Sequence, residues 1–370
     1  MLYATSAHVD LKAIEANLRA VRGQVGDRLV LLAVKADAYG HGAVAVSLMC
    51  QRTGAADWLG VATVPEALEL RAAGVTLPIL KLSHALTPAE ASAAVDAGVA
   101  LTVIDEPGAR LVSRAASGRG AEVHLKVDTG MRRIGVEPGG AVPLARLLRR
   151  LPGIDLTGIM THLPVSDTPS GADFTASQLA RFSAVAADVQ SEVGPLPHVH
   201  AANSGGVCGH PASWGTLVRP GIMAYGSYPD RDTAPSVPIV PALSLVSRVS
   251  YVKQVPAGET VGYGRTWTAP TDTWVATVPI GYGDGYSRLL SNRGTMLVRG
   301  RPFRIAGRVC MDQTMLDLGP RTDVVAGDEV VAIGRQGEAQ ITAWDVADLM
   351  GTIPYEVTCL LTRRVTRTYG

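Results

Sequence analysis

Between Leu29 and Gly221 the chain repeats one pattern about eight times: a short apolar run rich in β-branched residues, a turn, then a longer stretch with helical spacing of its apolar positions. Strand-like runs fall at 29–35, 58–62, 78–82, 101–105, 122–128, 156–162, 198–202 and 216–221, with helical stretches such as 44–53, 65–73, 88–97 and 177–193 between them. Parallel strands joined by helices form either an open doubly wound sheet or a closed barrel. Roughly eight units favour an α/β fold of the (β/α)8, TIM-type barrel class.

The rhythm stops at a proline-rich segment over 230–241, which suits a linker and neither a helix nor a central strand. Beyond it, SLVSRVSYVKQV, WVATVPI, TMLVRG, RPFRIAGRV and DEVVAIG are strand-like, and only ITAWDVADLM is helical in pattern. The expected organisation is a barrel over 11–235 and a β-rich domain over 236–370. The strand-like residues 1–10 are expected to pair with the C-terminal sheet. At 370 residues with 47% apolar and 18% charged side chains, the chain can bury cores of this size.

A formal net charge of +1 gives no global attraction to nucleic acid or anionic lipid. A small zwitterionic ligand fits better. Cys50, Cys208, Cys310 and Cys359 are widely spaced, which argues against a zinc cluster or a disulfide framework and for four reduced thiols; no metal is expected. No signal-peptide pattern or membrane-length apolar run occurs, so the expected location is cytoplasmic, with neither membrane nor nucleic acid as partner.

In a barrel of this class, polar side chains at the C-terminal strand ends line the active-site mouth. The first strand ends in Lys35, followed by Ala-Asp-Ala-Tyr-Gly-His-Gly with the hydroxyl of Tyr39. A lysine emptied from an apolar strand into a mouth loses solvation, which frees its amine for carbonyl chemistry, although a lysine reaching out to water is an equal reading from that residue alone. Further strand ends supply Lys126, Asp128 and Arg133, then His162, then His200 with Asn203 and Ser204, then Arg219 with Gly221 and Ile222. Ser204 and the amides near Gly221 and Ile222 suit a phosphate, so with the lysine they suggest a phosphorylated aldehyde cofactor.

The run Ala-Val-Lys35-Ala-Asp-Ala-Tyr-Gly-His-Gly resembles the signature of bacterial alanine racemases. The likeness continues through Lys126-Val-Asp-Thr-Gly-Met-Arg-Arg-Ile-Gly, Met-Thr-His162, Asn203-Ser204, Arg219-Pro-Gly-Ile222, Val-Gly-Tyr263-Gly, Gly-Tyr282-Gly-Asp-Gly, Cys-Met311-Asp312-Gln and Tyr355-Glu. The resemblance implies a pyridoxal-phosphate enzyme, an amino-acid isomerase, interconverting L- and D-alanine for peptidoglycan and assembled as a homodimer with shared active sites.

By that resemblance Lys35 holds the cofactor covalently and serves as one of two catalytic bases. Tyr263 of the other subunit is the second, tuned by His200, which is linked to Arg219; Asp312 gives catalytic support. Tyr39, His162, Asn203, Ser204, Arg219, Gly221, Ile222 and Tyr355 bind the cofactor, and Arg133 and Met311 bind substrate. Lys126 matches a lysine carbamylated in many members, and Tyr282 and Tyr355 narrow the entrance. Leu163-Pro164-Val165 after His162 and Pro220 after Arg219 depart from many relatives, which leaves a serine or broad-specificity small amino-acid racemase as the nearest rival. A decarboxylase on a related barrel and a non-enzymatic pyridoxal-phosphate carrier are further alternatives. The appended β domain disfavours the carrier, and Val-Gly-Tyr263-Gly with Arg219 disfavours the decarboxylase.

Overall fold

The computed structural model describes residues 3–370. The chain divides into two compact units, one of Ala13–Ala38 with Gly42–Val240, the other of residues up to Lys12, Tyr39–His41 and Pro241–Gly370. The first strand, β1 (Ser6–Val9), belongs to the second of these.

The first unit carries β2 (Leu29–Ala33), β3 (Trp58–Val61), β4 (Ile79–His84), β5 (Val99–Val103), β6 (Ala121–Lys126), β7 (Ile154–Met160), β8 (His198–His200) and β9 (Leu217–Val218). They lie in chain order in one parallel sheet, with β9 returning to pair with β2. The ring closes where the Thr216 amide donates to the Val199 carbonyl at 2.9 Å and the Arg219 amide to the Ala202 carbonyl at 2.9 Å. Leu31, Trp58, Leu80, Ala100, Met160 and Leu217 fill the interior as one buried cluster. The (β/α)8 barrel is the architecture of this unit.

The crossover helices begin where local chemistry provides for their first amides. Thr63, Thr87 and Asp105 each accept from the amide three residues on, ahead of helices Val64–Ala72, Pro88–Asp96 and Glu106–Ala115, and each helix has proline in its first two positions. A short polar cap followed by proline stabilises such a start because the ring has no amide to leave unsatisfied. The helix expected over 177–193 begins earlier, at Ala172, and ends at Val193. The strands end sooner than their apolar runs suggest. Lys35, Asp128, His162, Ala202 and Gly221 all stand past the last paired residue, on the turns.

In the second unit β1 is joined by β10 (Leu243–Arg248), β11 (Tyr251–Val255), β12 (Thr260–Val261), β13 (Trp267–Thr268), β14 (Thr273–Val278), β15 (Thr295–Val298), β16 (Arg301–Ile305), β17 (Thr314–Gly319), β18 (Glu329–Gln336), β19 (Ala339–Ile341) and β20 (Thr366–Tyr369). Except for the small β12–β13 ladder, they form one largely antiparallel sheet, in which β1 runs antiparallel to β10 and parallel to β20. Helix Ala343–Met350 matches the one helical pattern in the sequence. A second helix, Pro354–Cys359, corrects that reading: it is only six residues long, too short for a periodicity to register, and it carries Tyr355.

Candidate active site

The turn after β2 has an uncommon backbone. Ala36, Asp37, Ala38 and Tyr39 all have φ between 52° and 55°, a left-handed turn made without glycine. Each such residue costs roughly 1–2 kcal/mol, because Cβ crowds the carbonyl. Hydrogen bonds hold the turn: Glu66 Oε1 accepts from the Ala36 amide at 2.8 Å, and Asp37 Oδ1 accepts from the Ala43 amide at 2.8 Å. Strain of this size concentrates where a side chain must be aimed, and here the turn begins at Lys35, which is partly buried.

Arg219, buried just past β9, is the hub of the barrel's polar interior. One terminal nitrogen lies 2.8 Å from His200 Nδ1; the other donates to the Thr161 carbonyl at 2.7 Å and the Ala201 carbonyl at 3.0 Å and lies 3.3 Å from His162 Nδ1. Burial lowers its pKa to about 10, which still leaves it cationic at neutral pH. Burial, and then the Arg219 cation, hold His162 and His200 well below the usual histidine value, so both rings are neutral. His200 Nε2 lies 2.8 Å from His124 Nδ1. Both nitrogens of His200 are therefore engaged inside the barrel, and neither is left for a tyrosine hydroxyl.

Lys126 ends β6 and is buried; burial, then the cations Arg219, Arg133 and Lys35, lower its pKa to about 7, with Asp128 opposing. Asp128 also accepts from the Gly130 amide at 2.8 Å and so shapes the turn that carries Arg133, which is exposed. Beside the last strands, Asn203 caps the short helix Ser204–Gly209 by accepting from the Gly206 amide, and Ser204 Oγ accepts from the Gly221 amide at 3.0 Å. Ile222 begins the turn that follows.

The second unit holds the remaining expected residues in two groups. The buried Tyr39 and Tyr355 face one another with ring centroids 5.8 Å apart, and burial raises the pKa of the Tyr39 hydroxyl. Gly40 beside them is obligatory, since its φ is +82° and a Cβ would lie 2.1 Å from the Thr358 carbonyl oxygen. Tyr263 projects from a short turn between Gly262 and Gly264, both left-handed, and is 73% exposed. Tyr282 and Met311 are also exposed, on adjoining segments tied by the Gly283 amide donating to the Met311 carbonyl at 2.8 Å. Arg364 lies 2.8 Å from Asp312 and 3.3 Å from the buried Asp284, so the Asp312 carboxylate is anchored.

The family model described as the N-terminal domain of alanine racemase matches residues 9–229, and the one described as its C-terminal domain matches 242–369. A relative named alanine racemase from Cutibacterium acnes is 50% identical over 363 residues, 98% of this chain and 96% of its own. The chain belongs to the alanine racemase family. Another relative of the same name, from Symbiobacterium thermophilum, is 43% identical over 99% of this chain and 97% of its own. Among solved structures, the alanine racemase of Clostridium difficile matches with a TM-score of 0.94 at 34% identity, covering 100% of this chain and 96% of that one. The Bacillus anthracis enzyme, crystallised with bound L-Ala-P, matches with a TM-score of 0.92 at 35% identity, covering 100% of this chain and 96% of that one.

The family depends on pyridoxal phosphate. The barrel's charge fits such a group. Arg219, Arg133 and Lys35 act together on Lys126, with Asp128 opposing them, so the largest charge effects on that amine come from cations. A ligand with a phosphate and a phenolic oxygen supplies the missing negative charge. Glu122 and His124 escaped the sequence reading, although with Lys126 they alternate along β6. Polar residues at a spacing of two in an otherwise apolar barrel strand were the signal available.

Proposed function

We propose that this chain interconverts L- and D-alanine with pyridoxal phosphate, as a homodimer in which each active site draws on both subunits. The observation that carries the reading is the set of cations around Lys126, with Lys35 beside it on a strained turn. When bound, the cofactor would supply an electron sink for the charge left on Cα as its proton is removed. Lys35 would hold the cofactor at its aldehyde carbon until substrate binds, and its amine, once released, would move a proton at one face of Cα.

Tyr263 moves a proton at the opposite face. Its exposure, with that of Tyr282 and Met311, supports a role in a second subunit's site. Asp312 steadies that loop through Arg364, and Met311 and Arg133 bind the substrate, Arg133 by its carboxylate. Tyr39, Asn203, Ser204, Gly221, Ile222 and Tyr355 hold the phosphate end. His162 packs against the ring, and Tyr282 and Tyr355 narrow the entrance. Arg219 presents donors and no acceptor to the ring nitrogen, which keeps that nitrogen unprotonated and limits side reactions.

Lys126, as its carbamate, is the anion that orients Arg133. Residues 11–235 and 236–370, the latter with the 1–10 strand, are the working domains. We place the enzyme in the cytoplasm, where Cys50, Cys208, Cys310 and Cys359 stay reduced; among the described residues no helix is long and apolar enough to cross a membrane. A chiral assay over a panel of L-amino acids tests the substrate. Alanine is expected to have the highest kcat/KM, and serine exceeding it would overturn the assignment.

A further inference from the structure

The polar interior of the barrel continues below Arg219, away from the turns that carry Lys35 and Ser204. Three side chains of β6, Glu122, His124 and Lys126, alternate along one strand, and His198 and His200 do the same on β8. The registers set His124 beside Gly158 and Gly158 beside His198. His124 is fully buried, and Gly158 makes room for it: a Cβ there would lie 2.5 Å from the ring's Cγ. Trp58 lies 5.7 Å from His124 and edge-on to His198 at 5.0 Å. The position of His124 is built, with glycine beneath it and aromatic rings beside it.

The hydrogen-bond directions in this column follow from one fact. A guanidinium only donates. His200 Nδ1, 2.8 Å from Arg219, must therefore accept, and the ring's one proton sits on Nε2. That proton is donated to His124 Nδ1 at 2.8 Å, so His124 in turn carries its proton on Nε2. His124 Nε2 is buried without a hydrogen-bond partner, and the carboxylate oxygen facing it is Glu122 Oε1 at 3.9 Å. Glu122 is anchored by the Thr157 hydroxyl, which donates to Oε1 at 2.6 Å, and His198 Nε2 lies 3.8 Å from the same oxygen. The column runs from a cation at Arg219 to an anion at Glu122, with every proton pointing the same way.

We propose that Glu122 and His124 are positioning residues for the racemisation: His124 locks His200 into the one neutral tautomer that can accept from Arg219, and the Glu122 carboxylate, 3.9 Å from His124 Nε2, favours the proton on that nitrogen through its charge. This rests on the proposed role of Arg219 at the cofactor ring. If His200 turned its proton to Nδ1, two donors would meet at Arg219, and the guanidinium would swing from its aim. The bonds from Arg219 through His200 to His124 are satisfied in one direction only, and reversing either ring would leave a buried pair unmatched. The Glu122, His124 and His198 ligand atoms also lie within 4.8 Å of one another, close enough for a metal ion. The column disfavours it, because a metal on His124 Nε2 would take the place of the proton that fixes the chain's direction.

The test uses holoprotein labelled with 15N-histidine, in which protonated and bare ring nitrogens resonate far apart; loss of signals in His124 variants assigns that ring. Both His124 and His200 are expected to be neutral, with Nε2 protonated. A proton on Nδ1 of either ring, a doubly protonated ring, or a His124 Nε2 that becomes protonated only after EDTA treatment would overturn the proposal. In parallel, His124→Leu is expected to lower kcat roughly tenfold or more while KM changes by less than about threefold, the pattern if freeing His200 also breaks its bond to the Arg219 cation and that bond acts at the reaction step. His124→Asn, which keeps an acceptor near the Nδ1 position, should recover most of it. If both variants lose thermal stability but keep kcat per bound cofactor, the column is structural and the proposal fails.

Should the leucine variant not fold, Glu122→Gln at the column's open end should still move the His124 Nε2 resonance, and an unmoved resonance removes Glu122 from the scheme. Failure of the wild-type protein to take up pyridoxal phosphate would instead sink the functional reading, leaving the tautomers to be judged separately.

Discussion

Lys126 offers the sharpest quantitative test of the barrel's electrostatics. Burial and three neighbouring cations lower its pKa from 10.5 to about 7. An ordinary lysine is neutral at pH 7 in about one molecule in three thousand, whereas one titrating near 7 is neutral in about half. Carbon dioxide adds only to the neutral amine: on Lys126 the nitrogen–carbon bond would form, one proton would leave, and a buried cation site would become an anionic carbamate among Arg219, Arg133 and Lys35. The repulsions that depress the pKa would become attractions.

For the unmodified amine the linkage has a definite sign. The native pKa lies below the unfolded one, so the native state binds fewer protons between pH of about 7 and 10.5, and stability rises with pH across that window. The full cost of a buried ammonium, up to about 5 kcal/mol at about 1.4 kcal/mol per tenfold, is present below pH of about 7. Urea denaturation in CO2-free buffer at several pH values should give a rising stability that Lys126→Met abolishes. Adding 13CO2 near pH 8 should give a carbamate carbon resonance in the wild type and none in the variant. An unchanged pH slope in Lys126→Met, together with no carbamate resonance, would refute the reasoning.

Two further outcomes follow from the second unit. Tyr263→Phe removes one hydroxyl from an exposed ring, so the bound cofactor's visible absorbance should persist while turnover falls by orders of magnitude; turnover near wild type would remove Tyr263 from the scheme. Gly40→Ala places a Cβ 2.1 Å from the Thr358 carbonyl oxygen at a φ of +82°, so it should lower the melting temperature and weaken cofactor binding through Tyr39 and Tyr355, and unchanged binding by absorbance titration would contradict their assignment to the phosphate.

The barrel was legible because parallel strands buried on both faces leave apolar runs that turns and helices punctuate, and each run from Leu29 onward found its strand. The strand ends were not. Lys35 looked like the last residue of a strand, but the strand ends at Ala33 and four left-handed residues follow Lys35, and no composition signals such a turn when glycine is absent from it. The motif residues were recognisable from their local runs. The column from Arg219 to Glu122 was not, because it joins residues nearly a hundred positions apart, and a histidine inside an apolar strand reads as packing until its partners are known.

Every proposed role at the cofactor depends on Lys35 carrying it. Borohydride reduction of the holoprotein, followed by proteolysis and mass spectrometry of the peptides, should place the reduced pyridoxyl group on Lys35 and on no other lysine. Labelling of Lys126, of any other residue, or of none would contradict it.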